Sequence, residues 1–168
     1  MKDRECGPCQ LCCRVMPIAE TGKLANTRCA HQRFRKGCAI YGEGRPLSCI
    51  AWSCGWLLHP EHADLIRPDL AGYVIDPCGD FMTIEWHTRS TPTNIRIIQI
   101  WVDPKRPCSH RDPALRAMLE EAFRSLGFIG VARNGTTDAL VLFPPEFTME
   151  GWVEHAATPR QPLLRSTA

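Results

Sequence analysis

The stretch CGPCQLCC, residues 6–13, places four cysteines within eight positions near the N-terminus. A Cys-x-x-Cys step brings two sulfur atoms within reach of one metal ion, and two such steps follow each other here. Four more cysteines lie before residue 55, whereas residues 55–168 contain only two of the ten in the chain. The eight clustered cysteines are Cys6, Cys9, Cys12, Cys13, Cys29, Cys38, Cys49 and Cys54. They exceed the four ligands of one tetrahedral ion, and they predict a metal-binding segment.

Residues 1–56, which surround this stretch, show little helical or strand periodicity and contain many glycines and prolines. Such a segment cannot build an ordinary hydrophobic core by itself. In small cysteine-rich modules, however, the free energy of metal binding is also free energy of folding. We therefore expect loops and short helices that are ordered by a metal ion.

The N-terminus indicates a reducing compartment. Residues 2–5 are all charged, and no apolar stretch that could act as a signal peptide follows them. No apolar run elsewhere approaches the roughly 20 residues that cross a bilayer. The sequence thus predicts a cytoplasmic protein without a membrane segment. In that compartment stable disulfides are disfavoured, and clustered thiols are more often metal ligands.

Length and composition favour one folded domain. The chain has 168 residues, of which 44% are hydrophobic and 23% charged, and these values argue against disorder and against a coiled coil. The net charge is only +2, but residues 1–56 hold nine Lys or Arg against four Asp or Glu. Metal-bound thiolates would offset this basic excess. A metal ion is therefore the expected partner and nucleic acid is not, while a protein partner stays open.

The pattern changes after residue 72 to that of a mixed fold. Asp112 is a helix N-cap followed by Pro113, apolar residues then recur at helical spacing, and Gly127 ends the helix. Asn134 and Gly135 favour a hairpin turn between two apolar runs. Runs rich in β-branched and aromatic residues predict five strands, at Tyr73–Ile75, Phe81–Trp86, Ile95–Val102, Phe128–Arg133 and Ala139–Phe143.

The expected fold class is α+β. An irregular Cys-rich segment (6–57) packs on a small antiparallel β-sheet with one main helix (73–143), in the order β-β-β-α-β-β. Residues 1–153 are expected to form a single domain. The last residues, 154–168, carry two prolines and no periodicity, which predicts a disordered tail.

Three functions are consistent with the clustered cysteines. The first is a protein that binds zinc or iron, because soft sulfur ligands suit these metals and not magnesium or calcium. The second is an iron-sulfur redox protein or enzyme. The third is an interaction module that zinc stabilises and that binds RNA or a protein through a surface with the basic residues Arg33, Arg35 and Lys36. Two four-sulfur sites, one polynuclear site, or one cluster with spare thiols are all possible. We expect the neighbours Cys12 and Cys13 not to share one ion. No catalytic base or substrate pocket is identified, so the balance lies against an enzyme.

Three further motifs extend the pattern of the first eight positions: GCAIY (37–41), RPLSC (45–49) and CGWL (54–57). Together with CGPCQLCC they resemble the YkgJ-like cysteine-cluster family, also described as the CxxCxxCC domain, a zinc- or iron-chelating module. The resemblance covers residues 6–57 and implies that all eight cysteines are candidate ligands. It also implies that Arg45 and Pro46 shape the loop before Cys49. Residues 58–168 carry no part of this signature.

Several other residues have a plain structural interpretation beside a functional one. Cys78 and Cys108 are expected to be ordinary turn or packed thiols, although either could complete a site. His31 could replace one thiolate, but such a histidine is more often a surface or supporting group. The aromatic residues Tyr41, Trp52 and Trp56 are expected to form a dry wall beside the metal and not a stacking platform for bases.

Overall fold

The N-terminal part of the chain, up to residue 71, forms only short elements in a computed structural model, which describes residues 4–6, 8–84 and 93–157. Its helices have four or five residues, and its two strands form a small antiparallel hairpin. A 3₁₀ turn lies at Ala19–Thr21. The elements are α1 (Cys12–Val15), β1 (Gln32–Arg33), β2 (Gly37–Cys38), α2 (Leu47–Ala51), α3 (Gly55–Leu58) and α4 (Pro68–Ala71).

The rest of the described chain forms a five-stranded mixed sheet with one long helix. Its strands lie in the order β3-β4-β5-β6-β7, and every neighbouring pair is antiparallel except β4 and β5. A second 3₁₀ turn lies at Ser109–Arg111, before the helix. The elements are β3 (Tyr73–Ile84), β4 (Thr93–Val102), α5 (Pro113–Leu126), β5 (Ile129–Asn134), β6 (Asp138–Phe143), α6 (Pro145–Thr148) and β7 (Val153–Ala157).

The α+β class, the helix and the hairpin are confirmed. The Asp112 carboxylate accepts a hydrogen bond from the Leu115 backbone N–H at 3.0 Å, and Gly127 ends α5 with a φ of 70°. Strands β5 and β6 flank the predicted turn at Asn134 and Gly135, in register from Gly130 opposite Leu142 to Asn134 opposite Asp138.

The prediction of an antiparallel sheet is wrong, because β4 and β5 run parallel. Helix α5 connects the end of β4 to the start of β5. A crossover of this kind allows the second strand to run in the same direction as the first. The predicted order of the strands and the helix along the chain is wrong as well. The sheet and its long helix follow the sequence β-β-α-β-β-β.

The prediction of two separate strands at Tyr73–Ile75 and Phe81–Trp86 is also wrong. One strand, β3, runs from Tyr73 to Ile84, and Pro77, Cys78 and Gly79 form an irregularity within it. Asp76 lies opposite Gln99 and Asp80 opposite Ile97, so the extra residues bulge out of the ladder without reversing the chain. Trp86 lies outside the described residues.

The predicted disordered tail is wrong for residues 154–157. Strand β7 pairs with β6 along the whole of its length, from Ala139 opposite Ala157 to Phe143 opposite Val153. Edge pairing of this kind needs no internal apolar periodicity, which explains why the sequence pattern did not indicate it. Residues 158–168 lie outside the described part.

The two faces of the sheet are covered by different parts of the chain. Alternate residues of a strand point to opposite faces, and on one face Ile75, Ile100 and Val102 pack against the buried Leu115 and Leu119 of α5. On the other face the Cys-rich segment contributes the buried Leu11, Val15 and Met16, which pack against Val74 and Trp101. An ion pair between Arg14 and Asp103 adds to this contact. The sheet is therefore the platform on which the cysteines are positioned.

Replacing Glu154 by glutamine is expected to loosen β7. The Glu154 carboxylate accepts hydrogen bonds from Arg111 at 2.7 and 3.0 Å and from Arg116 at 2.7 Å. The hydrogen bond from Arg111 is the main reason why the pKa of Glu154 lies below its ordinary value. Because the folded pKa is lowered, this stabilisation is complete above the unfolded pKa of about 4.3 and disappears as the pH falls through the folded pKa. Urea unfolding at pH 7 should show a loss of about 1–3 kcal/mol in Glu154→Gln, and the difference from wild type should vanish in acid. An equal difference at both pH values would contradict this assignment.

Candidate metal centre

All eight N-terminal cysteines lie on the wall of one cavity of about 330 Å³. They come from positions as far apart as Cys6 and Cys54, and from three secondary-structure elements (α1, β2 and α2) and three loops. His31 lines the same cavity, whereas Cys78 and Cys108 are exposed and lie outside it. The structure therefore brings together every cysteine that the sequence selected and leaves the two others apart.

Helix α1 positions the first four thiols. Cys6 and Cys9 lie in the segment before it, while Cys12 and Cys13 open the helix itself. Leu11 and Val15 of the same segment are buried against the sheet. Because these apolar side chains fix the helix on the sheet, the neighbouring thiols are held beside the cavity.

Cys29 and Cys38 are held at the cavity by backbone and side-chain hydrogen bonds. The Cys29 N–H donates to the Cys13 carbonyl at 3.0 Å, and Cys38 belongs to strand β2. The Gln10 amide donates to the carbonyls of Arg33 and Gly37 in the hairpin and accepts from Gln32 at 2.8 Å. Gln10 is buried. Sequence reasoning missed this residue, although its place among four cysteines was a signal, since a glutamine there supplies both a donor and an acceptor.

The tip of this hairpin carries the basic residues of the RNA-binding hypothesis. Arg33, Arg35 and Lys36 are exposed, and the Phe34 ring between them is 72% exposed. The Arg35 guanidinium lies 5.1 Å from the centre of that ring. These cations project outside the cavity wall, so they belong to the surface and not to the thiol site.

Cys49 and Cys54 are presented by α2 and by the start of α3. The Glu20 carboxylate accepts hydrogen bonds from the backbone N–H groups of Leu47 and Ser48, both at 3.1 Å, and so caps α2. Cys54 is the only cysteine of the described residues that is fully buried, at 8% exposure. Glu20 is a second residue that the sequence did not single out, because its partners lie 27 and 28 positions away.

Aromatic side chains close the cavity towards the sheet. The Trp52 indole N–H donates to the buried Asp76 carboxylate at 2.8 Å, and the Trp56 indole N–H donates to the Leu65 carbonyl at 3.0 Å. Tyr41 is half exposed at the outer side, where the Arg45 guanidinium lies 4.3 Å from its ring centre. All three aromatic residues line the cavity. The apolar rings of Trp52 and Trp56 reduce the contact of the cavity with water on the side of the sheet, which strengthens interactions between charges there.

Burial raises the pKa of four of the eight thiols. It raises the pKa of Cys9 to about 11 and also raises the pKa of Cys6, Cys49 and Cys54. Cys13 is different, because a hydrogen bond from the Cys12 thiol lowers its pKa to about 7. The four thiols whose pKa is raised are therefore protonated at neutral pH, and a cation that binds to them must displace their protons.

The Lys23 ammonium interacts electrostatically with several of these thiols. Its side chain donates to the backbone carbonyls of Met16 and Arg14. Burial lowers the pKa of Lys23, whereas the charges of neighbouring cysteines, Cys29 and Cys13 foremost, act to raise it. Lys23 would thus compensate part of the charge on deprotonated thiols.

The donor set fits a thiophilic cation. Among the residues that the structure describes, no Asp or Glu lines the cavity, so the donors are thiols and one imidazole. In the same described ranges, no group of three or more His, Cys, Asp or Glu side chains is arranged as it stands to hold a metal ion. The chemistry of the donors therefore fits zinc or iron, and binding would have to draw the sulfur atoms inward.

Gly55 couples the cavity to the sheet, and Gly55→Ala is expected to disturb both. A Cβ at this position would lie 2.7 Å from Ile75 Cγ2 and 2.9 Å from Ile75 Cβ. Helix α3 must then move away from β3, and Cys54 moves with it. Overpacking of this kind costs about 1–3 kcal/mol, which urea unfolding would measure. Gly42→Ala is the matched control, because a Cβ there meets nothing within 4 Å. Equal stability of the two variants would contradict the predicted clash.

Over the residues that the structure describes, no helix is long and apolar enough to span a membrane.

Comparison with known proteins yields no relatives of this chain: no family model matches the sequence, and neither a curated protein nor a solved structure matches it. The resemblance of residues 6–57 to the YkgJ-like family therefore stays an interpretation of the cysteine spacing.

Proposed function

We propose that this protein binds zinc or iron through the thiolates of its eight N-terminal cysteines. One observation carries the proposal: cysteines distributed over positions 6 to 54 all reach the wall of one cavity. A packing role would not require this convergence, since buried structural thiols have no reason to collect at one place. The two remaining cysteines, Cys78 and Cys108, are exposed and take no part.

The lining of the cavity supports a soft metal. Thiolates favour zinc, iron and iron-sulfur clusters over magnesium and calcium, which take oxygen donors. A bound ion would supply positive charge that stabilises the deprotonated thiols and cross-links the loops that carry them. The chain itself supplies Trp52 and Trp56 as an apolar wall and Lys23 and Arg45 as compensating charges.

The role of the bound metal is structural or one of metal handling in this proposal, and no enzymatic activity is assigned. The iron-sulfur redox protein is the alternative that the same thiols allow. Its distinguishing property is inorganic sulfide, which a simple zinc or iron site does not contain.

Purification without oxygen tests the proposal and separates these two forms of it. Zinc, iron and acid-labile sulfide are measured per chain, and the visible spectrum is recorded. Stoichiometric zinc or iron without sulfide is the expected result. A brown protein that contains iron and sulfide would show an iron-sulfur cluster and would favour the redox alternative over simple chelation. Protein that contains neither metal, does not take up added zinc or iron, and has its cysteines paired as disulfides would overturn the proposal.

A further inference from the structure

The eight thiols do not share one environment within the cavity. Cys54, Cys9 and Cys12 belong to the apolar cluster in which the Cys-rich segment meets Val74 and Trp101 of the sheet. The other thiols of the cavity belong to none of the apolar clusters formed by the described residues. The cavity therefore has an inner part on the sheet and an outer part away from it.

The outer thiols are neighbours of one another. In the hairpin, the Gln32 N–H donates to the Cys29 carbonyl at 3.1 Å, and Gln32 lies opposite Cys38 across the two strands. The charges of Cys13, Cys29 and Cys38 also act on the Cys49 thiol, whose pKa is raised first by burial. The backbone hydrogen bond from Cys29 to Cys13 independently joins two of them. Cys13 belongs to α1, Cys29 to the loop before β1, Cys38 to β2 and Cys49 to α2. We call these four the outer neighbourhood, because none of them belongs to the apolar cluster that contains Cys9, Cys12 and Cys54.

Cys6 lies at the boundary between the two neighbourhoods. Its charge acts on Cys12 and Cys54 on the inner side, and the charges of Cys13 and Cys38 act on it from the outer side. The outer neighbourhood already holds four thiols, the number that one tetrahedral ion needs. Cys6 is thus available as the fourth thiol of the inner neighbourhood, beside Cys9, Cys12 and Cys54.

Helix α1 explains how two adjacent cysteines serve different neighbourhoods. Successive residues of an α-helix point about 100° apart, so Cys12 and Cys13 leave the helix in different directions. Cys12 packs into the apolar cluster, and Cys13 lies near Lys23 and Cys49. The hydrogen bond between the two thiols marks the place where the neighbourhoods meet.

We propose that the thiols form two separate metal sites, an inner group of Cys6, Cys9, Cys12 and Cys54 and an outer group of Cys13, Cys29, Cys38 and Cys49, each holding one ion. This inference rests on the proposed metal binding and adds its stoichiometry and the partition of ligands. Two tetrahedral sites use all eight thiols and leave none spare. His31 then lies beside the sites and is not one of the ligands.

Two double variants test the partition in the full-length protein. Cys9→Ser with Cys54→Ser removes half of the inner group, and Cys29→Ser with Cys49→Ser removes half of the outer group. Cys78→Ser with Cys108→Ser is the matched control, because both residues are exposed outside the cavity. Each protein is loaded with zinc without oxygen, and bound ions are counted by native mass spectrometry. Circular dichroism of the loaded proteins checks that the sheet and α5 are intact.

Wild type and the control are expected to hold two ions, and each cavity double variant is expected to hold one. Loss of both ions from either variant, with the sheet and α5 intact, would overturn the partition and indicate one shared cluster, while metal binding itself would stand. A wild type that holds a single ion would overturn the two-site stoichiometry in the same way. A wild type that binds no zinc and no iron would overturn the proposed function, so the two failures are distinguishable.

Discussion

Replacing Cys9 or Cys49 by serine is expected to lower the metal content and to reduce the order of residues 4–56. The short elements of this segment explain the size of the effect. Isolated helices of fewer than about 12 residues are marginal in water, and α1, α2 and α3 have only four or five. Leu11, Val15 and Met16 are the buried apolar anchors at one end of the segment. The rest of its order is expected to come from the metal.

Hydrogen-deuterium exchange with parallel metal analysis measures this result. Amide protection within residues 8–56 should fall in both variants. Protection in β4 and α5 should persist, because the core between them, as far as the structure describes it, contains no cysteine. Cys78→Ser should match wild type in both measurements. Unchanged metal content in Cys9→Ser would contradict the assignment of this residue as a ligand.

Removing the Asp76 side chain is expected to destabilise the whole fold. Asp76 is fully buried in β3 and accepts hydrogen bonds from the Trp52 indole at 2.8 Å and from the Cys78 backbone N–H at 3.2 Å. Its charge also compensates the buried Arg133, whose pKa is lowered by burial and raised again by Asp80 and Asp76. Loss of one partner from a buried charged group costs about 3–5 kcal/mol. We therefore expect a loss of that size in Asp76→Ala.

Two companion variants make the Asp76 result specific. Asp64→Ala removes an exposed carboxylate and should leave the free energy of unfolding within about 0.5 kcal/mol of wild type. Asp76→Asn keeps an acceptor for Trp52 but removes the charge, so it should fall between wild type and Asp76→Ala. Urea unfolding gives all three values. A loss below about 1 kcal/mol in Asp76→Ala would show that Arg133 and Trp52 do not depend on this carboxylate.

Local signals in the sequence predicted the local parts of the fold. The cap at Asp112, the stop at Gly127 and the turn at Asn134 and Gly135 each depend on residues a few positions away. The irregularity at Pro77–Gly79 was misinterpreted as a turn, since proline and glycine are typical of both turns and bulges. Only the partner strand decides between them, and here β4 continues past the irregularity on both sides.

Contacts between residues that are distant in the chain could not be predicted from the sequence alone. The cysteine pattern selected the eight residues that line the cavity, but it did not indicate which of them are neighbours, because that depends on how α1, the hairpin and α2 pack. Gln10 and Glu20 were missed for the same reason, as both act on partners more than 20 positions away. Strand β7 was missed because its order comes from pairing with β6. The role of the cysteines as ligands stays a prediction.

The packing of Leu11 and Val15 on Val74 and Trp101 has a consequence for the protein during its synthesis. Chains emerge from the ribosome N-terminus first, so the eight thiols are made well before strand β4, which completes the surface that covers them. Until residue 101 has emerged, the nascent chain lacks the sheet surface that packs against Leu11 and Val15, and free thiols in an exposed segment are open to oxidation. The order of elements along this chain therefore places the thiols ahead of the sheet surface on which their segment packs.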